Sequence, residues 1–180
     1  MTSKWNFRLS GTGGQGVIKA AVILAEAALL DGRNAAQSQV YGPESRGSAT
    51  RAEVQISDED ILFPKVLNPN FLLCLSQKAL DKFSNEMHTG GTLLADQHLD
   101  VSHCRSDVNV MQLPLISVTR EKTGNDLSVN VVALGAINAI THAVSDKAME
   151  ESIARNFKEK IVARNIEAYH IGKNIVSNDK

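Results

Sequence analysis

The chain has 180 residues, enough for one domain with a hydrophobic core and short for two. Its 19 Lys and Arg nearly balance its 20 Asp and Glu, so no basic surface is offered to nucleic acid or to an anionic membrane. Two cysteines, Cys74 and Cys104, are too few for a disulfide framework. They also cannot supply the four thiolates of an iron–sulfur cluster or an all-cysteine zinc site.

The start, Met1-Thr2-Ser3-Lys4-Trp5-Asn6, lacks the apolar core of a signal peptide, so a reducing cytoplasm is the expected setting. Trp5, Phe7 and Leu9 alternate with polar residues and predict a first strand over 5–10. A glycine turn follows, and then a helix from about Gln15 to Leu30. Its inner stripe is read as Ile18, Ala21, Val22, Ala25 and Leu29. Ile23, Leu24 and Ala28 make the other side apolar too, which predicts burial on more than one face. A second strand is expected over 34–40. Arg51-Ala52-Glu53-Val54-Gln55-Ile56 alternates strictly, as does a strand with one wet face.

Asn68-Pro69-Asn70 is a turn signal, with an apolar strand over 71–75 and a helix near 77–83 beyond it. Gly90-Gly91 opens another strand over 92–95, and 108–113 forms one more, ended by Pro114. From Leu127 to Ser145 there is no charged residue. The length invites a membrane-span reading, but Asn130, Asn138, Thr141 and His142 interrupt it and no basic flank adjoins it. A buried or interfacial helix fits better. Two helices should complete the chain, over 146–157 and 158–171. Strands alternating with helices predict an α/β, Rossmann-like layered fold, a mainly parallel sheet with helices on both faces, in a single domain over 1–180.

Gly11, Gly13 and Gly16 match the G-x-G-x-x-G spacing that brings backbone close to a pyrophosphate at a helix N-terminus. A dinucleotide site also needs an acid about 20 residues onward, at the end of the second strand, to hold the ribose. Ala35-Ala36-Gln37-Ser38-Gln39-Val40 contains none, and Asp31 falls too early. The turn also lacks the Lys-Ser/Thr ending of an NTPase loop. That leaves an anion cradle or simple helix–strand packing.

Tyr41-Gly42-Pro43-Glu44-Ser45-Arg46-Gly47 should lie at the same sheet edge as the glycine turn, where Arg46 and Arg51 could reach an anion held near Gly13 and Gly14. A solvated turn with a Glu44–Arg46 surface pair explains the residues about as well. His98, His103 and Cys104 match no metal motif. Ser45 is not in a nucleophile elbow. His142 reads as a core or interface histidine with a satisfied ring.

Several segments together resemble the gamma subunit of 2-oxoacid:ferredoxin oxidoreductases. They are Gly11-Thr12-Gly13-Gly14-Gln15-Gly16-Val17, Tyr41-Gly42-Pro43-Glu44-Ser45-Arg46-Gly47 and Ile56-Ser57-Asp58-Glu59. Phe63-Pro64-Lys65-Val66, Leu73-Cys74-Leu75-Ser76-Gln77 and Gly90-Gly91-Thr92-Leu93 continue the pattern. So do Asn130-Val131-Val132-Ala133-Leu134-Gly135, Asn165 and Gly172. The resemblance runs from Arg8 to about Gly172. It departs at Val40 and Ser48, where the family commonly has serine and glycine. The Phe-Pro-Lys-Val and Leu-Ser-Gln segments look most like the 2-oxoglutarate-using members. Pyruvate, ketoisovalerate and indolepyruvate enzymes share much of the pattern.

The resemblance implies an enzyme that turns a 2-oxoacid and coenzyme A into acyl-CoA and carbon dioxide and passes electrons to ferredoxin. Thiamine diphosphate with magnesium and the iron–sulfur clusters are expected in partner alpha, beta and delta subunits. The chain has no cluster-binding cysteine run and no Gly-Asp-Gly motif, so it is expected to assist assembly and to be inactive alone. No catalytic residue or metal ligand is assigned. Gly11, Gly13, Gly14, Gln15, Gly16, Tyr41, Glu44, Arg46 and Gly47 are the candidates for an edge facing coenzyme A. The uncharged stretch 127–145 and the helix near 17–30 are expected to bury against partners. A homodimer of the isolated chain is left open. The competing classes are a stand-alone nucleotide- or CoA-binding module and an independent NAD(P)-dependent enzyme, against which the missing acid counts.

Overall fold

The computed structural model describes residues 4–40 and 49–178. Six strands form one sheet: β1 (Trp5–Thr12), β2 (Asn34–Val40), β3 (Ala49–Ser57), β4 (Phe71–Cys74), β5 (Thr92–Asp96) and β6 (Asn109–Leu113). Their order is β2-β3-β1-β4-β5-β6. β1, β4, β5 and β6 pair in parallel, whereas β3 is antiparallel to both its neighbours, β1 and β2. The sheet is thus mostly parallel, with β3 inserted against the common direction. The helices are α1 (Val17–Leu30), α2 (Gln77–Phe83), α3 (Leu115–Thr123), α4 (Val129–Thr141), α5 (Asp146–Asn156) and α6 (Glu159–Asn178).

The two sheet faces carry separate cores. Phe7, Leu9, Val54, Ile56, Phe71, Leu73 and Leu94 meet α1 and α4 on one face, with α5 and α6 behind. Leu72, Cys74, Leu93 and Ala95 lie on the other, under Leu80 and Phe83 of α2. Helices therefore cover both faces. No helix among the described residues is long and apolar enough to cross a membrane.

Three expectations are corrected by packing. First, the polar face of β3 is largely covered, because Glu53 and Gln55 are buried and only Arg51 on that side is partly exposed. The residue after Lys65 folds over that side, with Val66 N–H donating to Glu53 Oε2 at 3.3 Å. Second, Ala21 and Ala25 of the expected stripe of α1 are buried, but so are Ala20, Ile23, Leu24, Ala27 and Ala28, while Leu29 is exposed and Ile18 and Val22 are half-buried. Burial on more than one face does hold: the helix packs on the sheet, α4 and α5 together. Third, α4 is buried within this chain over almost its whole surface, Val129 to Asn138. Its apolar, uncharged sequence is accounted for by the sheet below and α6 above, without a partner subunit.

The sequence reading missed α3 and ended α6 too early. α3 has no side-chain cap of its own. Its Ile116 N–H is instead capped by the buried Asp96 carboxylate at 2.8 Å, from the end of β5. α6 continues to Asn178 through Gly172, a residue type that usually marks a helix end. A Cβ on Gly172 would lie 1.9 Å from the Val132 carbonyl oxygen, and one on Gly135 would lie 2.0 Å from that of Tyr169. These glycines are where α4 and α6 cross.

The same crossing holds a polar network. Asn138 Nδ2 donates to Tyr169 Oη at 2.8 Å, and Tyr169 Oη donates to Asp146 Oδ1 at 2.6 Å. Burial, with the Asp146 hydrogen bond, pushes the Tyr169 phenol well above its ordinary pKa. Burial pushes the Asp146 carboxyl up, but hydrogen bonds from Lys173 and Tyr169 outweigh it and hold the group below the usual carboxylate range.

Candidate functional site

β1 ends in Gly11 and Thr12, and the chain turns through Gly13, Gly14 and Gln15 before α1 begins. Gly14 and Gly16 have φ of 95° and 72°, a left-handed region that side chains with a Cβ enter only under strain. Gly16 is the N-cap of α1, without a side-chain cap and with no acidic residue in the first turn. The first N–H groups of the helix are left for solvent or a ligand, at the positive end of its dipole.

Gly11 and Gln15 build this turn from behind. Gln15 Oε1 accepts from the Thr12 N–H at 2.7 Å, and its Nε2 donates to the Leu75 carbonyl at 3.0 Å. The amide braces the ends of β1 and β4. A Cβ on Gly11 would come 2.4 Å from that Oε1, so the brace requires glycine there. Gly13 and Gly14 are exposed, with open space where a Cβ would be. With Gly16, Val17, Ile18 and Thr50 they line a cavity of about 300 Å³. Gly16 is also held from α4, where Asn130 Nδ2 donates to its carbonyl at 3.2 Å. A Cβ at Gly16 would meet that Nδ2 at 2.7 Å.

Of the second loop, Tyr41, Glu44, Arg46 and Gly47 lie outside the described residues. The flanks are placed: Val40 pairs with Arg51, and Ala49 pairs with Thr12. β2 therefore ends and β3 begins at the edge that carries the glycine turn.

Arg51 does not reach toward Gly13 and Gly14. Strand alternation sends Thr50 to the cavity side and Arg51 to the opposite face. There Arg51 stands 5.4 Å from the centre of the Phe83 ring, with its Nε 3.6 Å from Glu53 Oε1. Arg8 lies in the same cluster, almost fully buried. Its Nε donates to Glu53 Oε1 at 3.0 Å, its Nη2 donates to the Val66 carbonyl at 3.0 Å, and its Nη1 pairs with Glu86. This cluster ties β1, β3 and the turn after α2 together. The sequence reading missed it because its members are 45 and 78 residues apart.

Among the described residues, the remaining reactive side chains form no second site. Burial pushes the Cys74 thiol up to about 12, with Ser10 Oγ 3.4 Å from its sulfur. Burial also raises the Cys104 pKa. His103 pairs with Asp81 at 3.2 Å, and His98 contacts only Gln97 through its ring. Among the described residues, no group of three or more His, Cys, Asp or Glu could hold a metal ion. His142 is not a core histidine. It is exposed and ends α4 in the left-handed conformation, φ 48°. Asp31, the one acid near the position a ribose would require, accepts from Ser145 Oγ at 2.6 Å beyond the far end of α1.

Comparison with known proteins matches residues 6–175 to the family described as pyruvate ferredoxin/flavodoxin oxidoreductase. The chain is 43% identical over 169 residues to the 2-oxoglutarate synthase subunit KorC of Methanocaldococcus jannaschii, covering 92% of this chain and 90% of that one. It is 33% identical to the ketoisovalerate oxidoreductase subunit VorA of Methanothermobacter thermautotrophicus, of which it spans 35%. Among solved structures, the keto/oxoacid ferredoxin oxidoreductase gamma subunit of Geobacter sulfurreducens superposes with a TM-score of 0.84 at 38% identity. That match covers 97% of this chain and 99% of the other.

Proposed function

Because the chain belongs to the pyruvate ferredoxin/flavodoxin oxidoreductase family, we propose that it is the gamma subunit of a 2-oxoglutarate:ferredoxin oxidoreductase, holding the coenzyme A side of the reaction. The near end-to-end likeness to a 2-oxoglutarate synthase subunit carries the substrate assignment. Thiamine diphosphate with magnesium supplies the decarboxylation chemistry and iron–sulfur clusters the electron path, both in the alpha, beta and delta subunits. This chain's residues do not fit those groups: Cys74 is buried in the second-face core, Cys104 is partly buried against it, and among the described residues no further ligands gather around them.

The glycine turn fits an anionic group of coenzyme A. Gly13 and Gly14 leave their backbone open, the first turn of α1 carries no acid, and the cavity beside them has room for a phosphate. In this reading Gly13, Gly14 and the first N–H groups of α1 hold the phosphate. Gln15, Gly11 and Asn130 hold the turn. Tyr41, Glu44, Arg46 and Gly47 are assigned to coenzyme A binding from the sequence resemblance, and Arg46→Ala should weaken that binding. The chain binds and orients, and moves no proton. A nicotinamide dinucleotide is disfavoured because β2 ends without an acid and Asp31 is committed to Ser145.

The substrate assignment is tested on the reconstituted complex with a panel of 2-oxoglutarate, pyruvate and 2-oxoisovalerate. The expected result is coenzyme A-dependent reduction of ferredoxin with 2-oxoglutarate at a kcat/KM at least about tenfold above the others, equivalent to about 1.4 kcal/mol. A preference for pyruvate or 2-oxoisovalerate would overturn it.

A further inference from the structure

Between β3 and β4 the chain runs through 58–70 without helix or strand. Its two ends meet at the same point of β1: Ile56 pairs with Trp5, and the Asn70 N–H donates to the Asn6 carbonyl at 3.0 Å. The segment is therefore an Ω-shaped loop, a form that is frequently functional. It is tied down at its far side. Val66 is buried, its N–H donates to Glu53 Oε2 at 3.3 Å, and its carbonyl accepts from Arg8 Nη2 at 3.0 Å. At its start, Arg33 Nε donates to Asp58 Oδ1 at 2.7 Å. Pro64 restricts the residue before it, Phe63, to extended backbone. A loop held in this way still turns Leu62, Phe63 and Leu67 to solvent, at 94%, 56% and 69% exposure. Among the described residues, the other exposed large apolar side chains, Leu29, Val110, Leu127 and Ile161, stand far apart in sequence. Single ones need no explanation, whereas a cluster on an anchored loop marks a contact surface. Just before it in the chain, Glu59 and Asp60 are exposed as well.

Resting on the subunit assignment, we propose that the 58–70 loop is the docking point for a different subunit of the oxidoreductase, the one that corresponds to the part of VorA beyond this domain. The match covers 92% of this chain but only 35% of VorA, so the domain is there one part of a longer polypeptide. A covalent link holds fused domains at high effective concentration, whereas a separate subunit must supply its affinity through its own surface. Leu62, Phe63 and Leu67 are apolar anchors of the kind that carry binding when seated in a partner's pocket. A second copy of this chain is a poor occupant. Two such loops meeting about a two-fold axis would set projecting side chains against each other, with no pocket for either. Seating the loop in the other copy's groove between α3 and α6 is a head-to-tail contact, which runs on into rings or filaments. The acidic pair Glu59 and Asp60 defines the rim of the partner's pocket, which should carry lysine or arginine. Standard interfaces bury roughly 800 Å² per partner, more than three side chains supply, so the loop is the centre of a wider contact.

The test is reconstitution with the alpha, beta and delta subunits, with the retained fraction of this chain followed over a dilution series to give an apparent Kd. Leu62→Ser combined with Leu67→Ser should raise that Kd at least about tenfold, the scale of lost interface anchors. The Tm of the isolated variant should be unchanged, because both side chains already lie mostly in solvent. Glu59→Lys combined with Asp60→Lys should also weaken retention, and added salt should weaken the wild type more than this variant. The contact itself is read by Phe63→Cys in a Cys104→Ser background, labelled with benzophenone maleimide and irradiated in the assembled complex. Mass spectrometry should find the label on the subunit that corresponds to the rest of VorA. A label found only on a second copy of this chain, only on another subunit, or on none overturns the proposal. So does a Leu62→Ser, Leu67→Ser chain retained as tightly as the wild type. If that variant lowers the Tm, the cross-link decides. A wild-type chain that fails to join the other subunits at all overturns the subunit assignment, and the docking proposal with it.

Discussion

Gly172→Ala should destabilise this chain by about 3 kcal/mol or more, at or beyond the upper end of ordinary overpacking. The added methyl would sit 1.9 Å from the Val132 carbonyl oxygen and 3.0 Å from the Ala136 nitrogen. Both are backbone atoms inside a helix, so no side-chain rotation can make room. α4 and α6 must separate. α4 cannot yield downward, because Val131, Val132, Leu134 and Ala136 are already fully buried in the core. Gly135→Ala, which meets the Tyr169 carbonyl from the other side, should cost a similar amount. The double variant should cost less than the sum, since one displacement of the helices relieves both clashes. Urea unfolding followed by circular dichroism measures all three. A Gly172→Ala chain with an unchanged midpoint would show that the helices cross elsewhere.

The second large effect belongs to the buried cluster on the opposite face. Arg8→Met should cost about 3–5 kcal/mol, because it leaves the Glu53 carboxylate buried without its main counter-ion. Arg51 is a poor substitute at 3.6 Å, and Val66 N–H and Ser38 Oγ reach only the other carboxylate oxygen. The double variant Arg8→Met, Glu53→Leu should recover most of the loss, because desolvating both charges offsets much of what their attraction contributes. That asymmetry separates an ion pair from simple packing. If the double variant is as unstable as the single one, side-chain volume rather than charge is what the cluster supplies.

Much of the architecture was legible in the sequence, for identifiable reasons. β2 and α2 fall where their flanking turn residues put them, and the other strands within two residues of expectation. What was not legible depends on distant partners. Periodicity carries no strand direction, so nothing local showed β3 to be antiparallel. It also could not show that the polar side of β3 is covered, since that depends on Arg8 and Val66. α3 was missed because its cap comes from Asp96, 20 residues earlier. The last helix was ended at 171, and the role of Gly172 inside it was not legible, because the carbonyl that requires glycine there lies on another helix.

The candidate site divides the same way. The spacing of Gly11, Gly13 and Gly16 was enough to place the open end of α1. Gln15 and Gly11 proved to be the brace behind it, through Leu75. Arg51 was misplaced because its direction depends on strand parity. Asn130 was read as a polar interruption of the uncharged stretch and as part of the resemblance, and nothing local showed that it holds Gly16 directly.

The proposed seat for an anion of coenzyme A at the glycine turn is tested most directly by Gly13→Asp in the assembled complex. Gly13 has open space and no left-handed φ, so the fold accepts the substitution while a carboxylate enters the phosphate position. The KM for coenzyme A should rise at least about tenfold through like-charge repulsion at the helix N-terminus. Gly13→Ala, the KM for 2-oxoglutarate and the Tm should all stay near their wild-type values. An unchanged KM for coenzyme A in Gly13→Asp would contradict the account and remove the glycine turn from the substrate's path.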